Sequence, residues 1–387
     1  MTQKEKVYSI IGKILGMIPA VWWGVEAVKT KAICVSTFGG NKAFTAAILL
    51  VCMAVCIYLQ AIVHETGHLL AGILNDFRFV SFRIGNRMLI RDHGRLTIRK
   101  MKVKGTGGQC LMCPPDSETG DIDDVWYLLG GGLANLVLAS IGMYLYGAVK
   151  VSGWSYAIFF QEAIAGLMFA IWNLFPMKTV DIANDGYNVF FSNQDRVSKR
   201  ALYYLLTVNA RLSKTDQIAE FGDDLYQKVA EVPYADLTNP YQGNLYYLLI
   251  ILHMSQGSYE LAKQCAQRLA AQDGVLQLFQ NEAKQYLLYD ELTDACRKEE
   301  VDRLYQATAQ YRKSMDWNPY TGLVEYAYEL LYHEDEARAL SVLVDTKKRI
   351  EKSAVGMEKT MILHEIDRTA QISKKRMQEA GILPETE

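Results

Sequence analysis

The sequence predicts a mainly α-helical protein with a multi-pass transmembrane helical core, a small antiparallel β meander, and a soluble, repeat-like α-helical domain. Three observations predict it. Long uncharged runs, among them Ala43–Val63 and Val125–Val149, all lie before Met177, and each is long enough to cross a bilayer as a helix. Between them, residues 77–104 shift to a loosely alternating pattern, the period of a half-exposed strand. From Ser192 onward the chain is dense in Lys, Arg, Asp and Glu, and its apolar residues recur at helical spacing. The expected division is a membrane-embedded domain over residues 1–190 and an α-helical domain over residues 191–387.

Composition narrows the function classes. A chain of 387 residues holds one or two domains. Its 22% of charged residues is near the soluble average, but that average hides the contrast between the halves. A net charge of −2 gives no electrostatic footprint for nucleic acid, so no such partner is expected. The seven Cys are scattered, several in apolar segments, which is not a disulfide framework. Cys110 and Cys113 have a spacing used in metal sites, but no second pair or nearby His completes one.

Taken in order, residues 7–28 are apolar but interrupted by Lys13, Pro19 and Glu26. No small-x-small cleavage pattern follows, so this stretch is either a first span or an interfacial helix. Residues 43–75 form a long helix. Phe77–Ile84, Met88–Arg91 and Leu96–Val103 then read as short strands, joined by turns at Gly85-Asn86 and Asp92-His93-Gly94. Between residues 77 and 104 there are nine Lys or Arg against one acid, Asp92. That balance suits lipid headgroups and puts the meander on the cytoplasmic side. A sheet edge there could take an extended substrate by strand addition.

Gly105–Gly108 and Pro114-Pro115 read as a loop, and the acids from Asp116 to Asp124 as a solvated linker. Val125–Val149 and Trp154–Pro176 are two further spans. In the first, Gly130-Gly-Gly-Leu-Ala-Asn135 lets another helix backbone come close, and Asn135 is expected to face the protein interior. With the meander cytoplasmic, Val125–Val149 leads out, Trp154–Pro176 returns, and the chain after Met177 is cytoplasmic.

The chemistry-bearing stretch is His64-Glu65-Thr-Gly-His68. Positions i and i+4 of a helix share a face, so both imidazoles can aim at one metal ion, with zinc expected. Glu65 projects beside that ion, where a carboxylate can take a proton from water. The chain stays apolar through Leu74, so the triplet lies inside the hydrophobic stretch instead of marking its end. A zinc hydrolase needs a third protein ligand. Asp181 and Asp185 follow Pro176, where Pro176 and Gly186 loosen the helix.

Together, the His64-Glu65-x-x-His68 helix, the Gly-rich span with Asn135, and Asn173-x-x-Pro176 followed by Asp-Gly resemble the site-2 proteases, a family of intramembrane zinc metalloproteases. The resemblance covers roughly residues 43–190. It implies a zinc endopeptidase whose substrates are membrane proteins or membrane-bound peptides in the lipid bilayer. It also implies a third ligand from a downstream Asp-Gly, and a part for Asn135 and Asn173 in holding substrate or shaping the site. The family's spacing is Asn, two residues, Pro, four residues, Asp-Gly. Asp181 has that spacing but precedes Ile182, whereas Asp185 precedes Gly186 but comes four residues late. Asp185 is favoured because Gly gives the backbone freedom at a bend, and Asp181 stands as the alternative. Gly132 occupies a position where the family usually has Pro.

In the second half, Asn239-Pro-Tyr-Gln-Gly243 recurs as Asn318-Pro-Tyr-Thr-Gly322, offset by 79 residues. Each opens an apolar helix, through Leu245, Leu248, Leu249 and Leu252 or through Val324, Ala327, Leu330 and Leu331, and a second helix follows. Such recurrence resembles tetratricopeptide-type hairpins, without their 34-residue period, and implies a peptide or protein partner. A plain helical bundle is the simpler alternative. For the whole chain, the rival to a protease is a catalytically degenerate membrane scaffold whose helical domain binds partners in peptide maturation or export.

Overall fold

The computed structural model describes residues 3–92, 95–100, 107–179, 182–213, 222–353 and 356–381. The described residues are mainly helical, with four short antiparallel strands. It divides into two compact units, Met1–Gly85 with Gly105–Arg196, and Asn86–Lys104 with Val197–Glu387.

The first unit begins with α1 (Gln3–Lys29) and the short α2 (Lys31–Thr37). In α1 the buried positions are Ser9, Gly12, Gly16 and Pro19, small residues on one face, while Ile14, Val21 and Val25 point outward. Helix α3 (Lys42–Leu74) starts at Asn41, whose side chain accepts from the amides of Ala43 and Phe44 and satisfies two of the otherwise unpaired donors. Its inward face is polar and small, with Cys56, Gln60, His64, His68 and Gly72 recurring at four-residue intervals. Its outward face carries Leu50, Val51, Val55 and Ile73. Helix α4 (Val125–Ala148) crosses α3, and the two backbones meet at Gly67 and Gly130. A Cβ on Gly130 would stand 2.6 Å from the Gly67 carbonyl oxygen, so only glycine permits this approach.

The next crossing runs as α5 (Gly153–Ser155), a π turn at Tyr156–Phe160, and α6 (Gln161–Leu174). Its beginning buries Tyr156, Phe160 and Ile164 with Cys34 and Phe38 in an apolar core. Among the described residues four helices, Gln3–Lys29, Lys42–Leu74, Val125–Ala148 and Gly153–Leu174, are long and apolar enough to cross a membrane. Their outward apolar side chains form the kind of surface that lipid covers. Residues 7–28, open between span and interfacial helix in the sequence, thus belong to a 27-residue helix packed on α6.

The strands β1 (Arg78–Ile84) and β4 (Gly108–Cys113) pair antiparallel, from Arg78 with Cys113 to Ile84 with Gly108, with a register shift between Phe79 and Ser81. The strands β2 (Arg87–Asp92) and β3 (Arg95–Lys100) form a hairpin that groups with the second unit. Two expectations are corrected. Residues 108–113, expected as loop, are a fourth strand; flanking Gly and Pro masked a run too short to show its period. Cys110 and Cys113 therefore sit three apart on a strand, on opposite faces. Asp124, expected in a solvated linker, is 2% exposed and accepts from Asn193 Nδ2 at 2.8 Å and 3.0 Å. His93 lies outside the described residues.

Beyond that hairpin the second unit is helical. The three-residue α7 (Asp185–Tyr187) belongs to the first unit, and α8 (Arg196–Leu212), which belongs to the second in all but its first residue, is followed by α9 (Asp223–Ala230). Then come α10 (Pro240–Ser255), α11 (Tyr259–Ala271), α12 (Gln277–Thr293), α13 (Lys298–Ser314), α14 (Pro319–Leu331), α15 (Glu336–Ser353) and α16 (Met357–Glu379). The repeated Asn-Pro-Tyr has a local physical meaning. Asn239 and Asn318 cap α10 and α14 by accepting from following amides, and Pro240 and Pro319 occupy the first helical position, where no N–H is needed. The pair α12–α13 lies between the two copies, so the 79-residue offset spans two helical hairpins. Leu245, Leu252, Val324 and Ala327 are all buried, as their spacing predicts.

Candidate metal centre

His64 and His68 lie one turn apart on α3, and both are 8% exposed. Their Nε2 atoms are 3.1 Å apart. Asp185 comes from α7, far along the chain, and its Oδ2 lies 3.3 Å from His64 Nε2 and 3.4 Å from His68 Nε2. These three side chains form a group that could hold a metal ion. The Asp185 carboxyl is disfavoured as an anion by burial, but His68 and the contacts with both imidazoles outweigh this and hold it below its ordinary range.

Each imidazole is oriented from behind. His68 Nδ1 lies 2.7 Å from the carbonyl of Tyr127, which can only accept, so Nδ1 carries the hydrogen and the neutral ring presents its lone pair at Nε2. Tyr127 is itself fixed, with its hydroxyl donating to the Cys110 carbonyl at 2.7 Å and its ring stacked on Phe77. His64 Nδ1 lies 2.8 Å from Asn135 Oδ1. Partners of this kind set the tautomer and ring orientation of metal-binding histidines.

Asp185 reaches the pair because the chain after α6 folds back on itself. Asn184 ties that fold together: its amide donates to the carbonyls of Trp172 and Phe175, and its Oδ1 accepts from the amides of Met177 and Tyr187. Asn184 is thereby the N-cap of α7, which points Asp185 at the imidazoles from the first helical position. Helix α1 holds the same segment. Ser9 Oγ donates to the Lys178 carbonyl and accepts from its amide, and Tyr187 donates to Glu5 at 2.9 Å. Gly186 serves space more than rotation. Its φ is not positive, but an added Cβ would stand 2.9 Å from the Asn173 carbonyl oxygen and closer still to that of Leu174.

Glu65 is buried next to the ligand group. The first residue of β4, Gly108, lies against it; a Cβ there would be 2.7 Å from Glu65 Cγ. Arg83, 1% exposed, fixes that approach by donating to the carbonyls of Gly85 and Gly108, and its charge acts on Glu65.

Of the residues singled out in the sequence, His64, His68 and Asp185 come together, with Glu65 beside them. Asn135 is wholly buried and its side chain is committed to His64 and Gln60. Asn173 is half-buried and turns back to donate to the Phe169 carbonyl of its own helix. Asp181 lies outside the described residues. Sequence reasoning missed Gln60, Arg83, Tyr127 and Asn184. Only Gln60 carried a signal, as a polar side chain in an uncharged span four residues before His64. Comparison of the chain with family models, with curated proteins and with solved structures finds no match.

Proposed function

We propose that the chain is an intramembrane zinc metalloendopeptidase acting on membrane proteins or membrane-bound peptides. The observation that carries this is the ligand triangle. Ligand atoms on a tetrahedral zinc with bonds of about 2.0–2.1 Å stand about 3.3–3.4 Å apart. The separations here are 3.1, 3.3 and 3.4 Å. Two neutral imidazoles and one carboxylate suit zinc and leave a fourth position free.

When bound, zinc supplies Lewis acidity that acidifies a water molecule and polarises a peptide carbonyl. Asp185 lowers the charge at the centre, and the carbonyl of Tyr127 and the amide of Asn135 keep both Nε2 atoms free of hydrogen. Glu65 takes a proton from the attacking water and delivers it to the leaving amide nitrogen. The buried setting excludes bulk water, so each charge acts in a low-dielectric environment. A helical substrate shields its peptide bonds within its own turns, so the scissile segment must be extended. The strand β4 ends the strand order and begins against Glu65. An extended segment pairing along it satisfies its own backbone groups while its carbonyl reaches the centre.

In this reading the basic hairpin is cytoplasmic and the helical hairpins of the second unit also lie there, offering a surface for a peptide or protein partner. The test is metal analysis and cleavage with purified protein. About one zinc per chain is expected, lost in His68→Ala and retained in Glu65→Ala, which no longer cleaves a membrane-bound substrate. Unchanged cleavage by Glu65→Ala overturns the mechanism.

A further inference from the structure

A line of hydrogen-bonded side chains runs from His64 away from the ligand triangle to a carboxylate on α6. His64 Nδ1 faces Asn135 Oδ1 at 2.8 Å. Asn135 Nδ2 donates to Gln60 Oε1 at 2.6 Å and to the Gln60 carbonyl at 2.8 Å. Gln60 Nε2 then donates to Glu162 Oε1 at 2.7 Å. Asn135 and Gln60 have no exposed surface, and Glu162 is 9% exposed.

The direction of the line is fixed by groups that can only accept. The Gln60 main-chain oxygen forces Asn135 to present its NH2 there, which leaves Oδ1 for His64. His64 Nδ1 must then carry the hydrogen, and in the neutral ring the lone pair lies on Nε2, toward Asp185 and His68. At the other end, the main-chain carbonyl of Glu162 also lies 3.4 Å from Gln60 Nε2, so the Gln60 amide is oriented by two oxygens of one residue. The line draws Gln60 and His64 from α3, Asn135 from α4 and Glu162 from α6, three helices that pack against one another.

Its far end is unusual in two ways. An ionisable group inside a span costs about 2.5–3.5 kcal/mol on insertion scales, so its retention calls for a task. The turn that delivers it, Tyr156–Phe160, is a π turn, a rare geometry that recurs at functional sites. Immediately after it, Gln161 and Glu162 are both buried.

We propose that Glu162 is a positioning residue for the metal centre. Acting through the Gln60 side chain, it holds Asn135, and with it the His64 ring, at the distance and angle that direct Nε2 at the ion. What the line needs at its far end is an oxygen that accepts from Gln60 Nε2, which fixes the Gln60 amide and, through it, Asn135 against the ring. This rests on the metal-binding reading above.

The test uses the full-length protein in detergent, with zinc affinity from chelator competition and the ligand-field spectrum of the cobalt form. Asn135→Leu is expected to weaken zinc by about 10–100-fold, and Glu162→Leu by up to about tenfold, with an altered cobalt spectrum. Glu162→Gln, whose amide oxygen still accepts from Gln60, is expected to stay within about twofold of the parent. The double variant Asn135→Leu/Glu162→Leu loses no more than Asn135→Leu alone, because both changes break one line. Should Glu162→Leu not fold, Gln60→Leu breaks the same line at its middle. Parent-like affinity and spectrum in Glu162→Leu or Gln60→Leu overturn the proposal, as does an additive double variant. Nitrogen-15 spectra of the metal-free imidazoles separate this from the parent reading. If the parent protein binds no zinc, the metal centre fails, while His64 ring nitrogen shifts in Glu162→Leu that are identical to the parent's sink the positioning role by themselves.

Discussion

The backbone of Gly131 lies directly against the two imidazoles: a Cβ there would stand 2.5 Å from His68 Nε2 and 2.6 Å from His64 Cε1. The atom it would crowd is one that faces Asp185. A methyl group at residue 131 therefore takes space beside the ligand atoms. Gly131→Ala is expected to weaken zinc binding by about 10–100-fold, the scale seen when support for a ligand is lost. Helix content should be unchanged. Chelator competition and far-ultraviolet circular dichroism check the two halves of this statement.

Asp185 and Asp181 are separable by mutation. Asp185 Oδ2 is within 3.4 Å of both imidazoles, so Asp185→Ala should remove the bound metal, whereas Asp181→Asn should leave its stoichiometry unchanged. Metal analysis of the two purified variants decides it. Metal retained in Asp185→Ala would hand the third position to another residue.

Asn184 makes a sharper test of how Asp185 is presented. Its NH2 meets two carbonyls and its oxygen meets two amides. Asn184→Asp keeps the acceptor but sets a carboxylate against the carbonyls of Trp172 and Phe175. An N-cap replacement by itself costs about 1 kcal/mol, yet here the aspartate variant should lose more zinc affinity and activity than Asn184→Ala. Equal behaviour of the two variants would mean that the carbonyl contacts contribute nothing.

The second unit should carry a pH dependence of its own. Glu282 and Glu358 both line a cavity of about 200 Å³ among α8, α10, α12, α14 and α16. Burial pushes the Glu282 carboxyl from an ordinary 4.5 up to about 7, against hydrogen bonds from Tyr311 and Tyr247. Burial, with the charge of Glu282, pushes Glu358 up to about 7 as well. The folded state thus keeps these protons where the unfolded chain has lost them. Their stabilising contribution is complete below about pH 4.5 and declines as pH rises through about 7. Thermal unfolding of the full-length protein should show a fall in midpoint between pH 5 and 8 that Glu282→Gln reduces. A variant with the parent's pH slope would contradict it.

Helix α1 is expected to matter for metal binding although none of its residues belongs to the ligand group. Gly16 packs on the Trp172 side chain, where a Cβ would overlap the indole, and Gly12 packs on Met177 and Phe175. Gly16→Leu should push α1 away from the segment that carries Asp185, lowering zinc affinity while α3 stays intact. Intact affinity in that variant would limit α1 to a structural role.

Much of this was legible in the sequence because it depends on local periodicity. An uncharged run of helical length, a four-residue interval between His64 and His68, and an Asn-Pro pair at a helix start each act within a few residues of chain. The long apolar helices, the shared imidazole face and the caps of α10 and α14 follow from them. What was hidden depends on distant partners. The strand β4 exists because β1 pairs with it across residues 85–107; its own composition gives no strand signal. Asp124 looked solvated among other acids, and its partner Asn193 is 69 residues away. Arg83 reads as one more basic residue of the meander, yet it is buried beside Glu65.

By itself, the sequence determined the candidate residues: two histidines on one face of a helix, a glutamate between them, and an aspartate somewhere after Pro176. Rise and twist of the α-helix are fixed by backbone geometry, so those placements need no fold. Only the tertiary structure decided that Asp185 reaches the imidazoles, that Asn135 and the Tyr127 carbonyl orient them, and that Glu162 stands at the end of their hydrogen-bonded line. Those relationships depend on glycine-mediated helix crossings and a loop stitched by Asn184, where distances of a few tenths of an ångström are set by packing that no local pattern encodes.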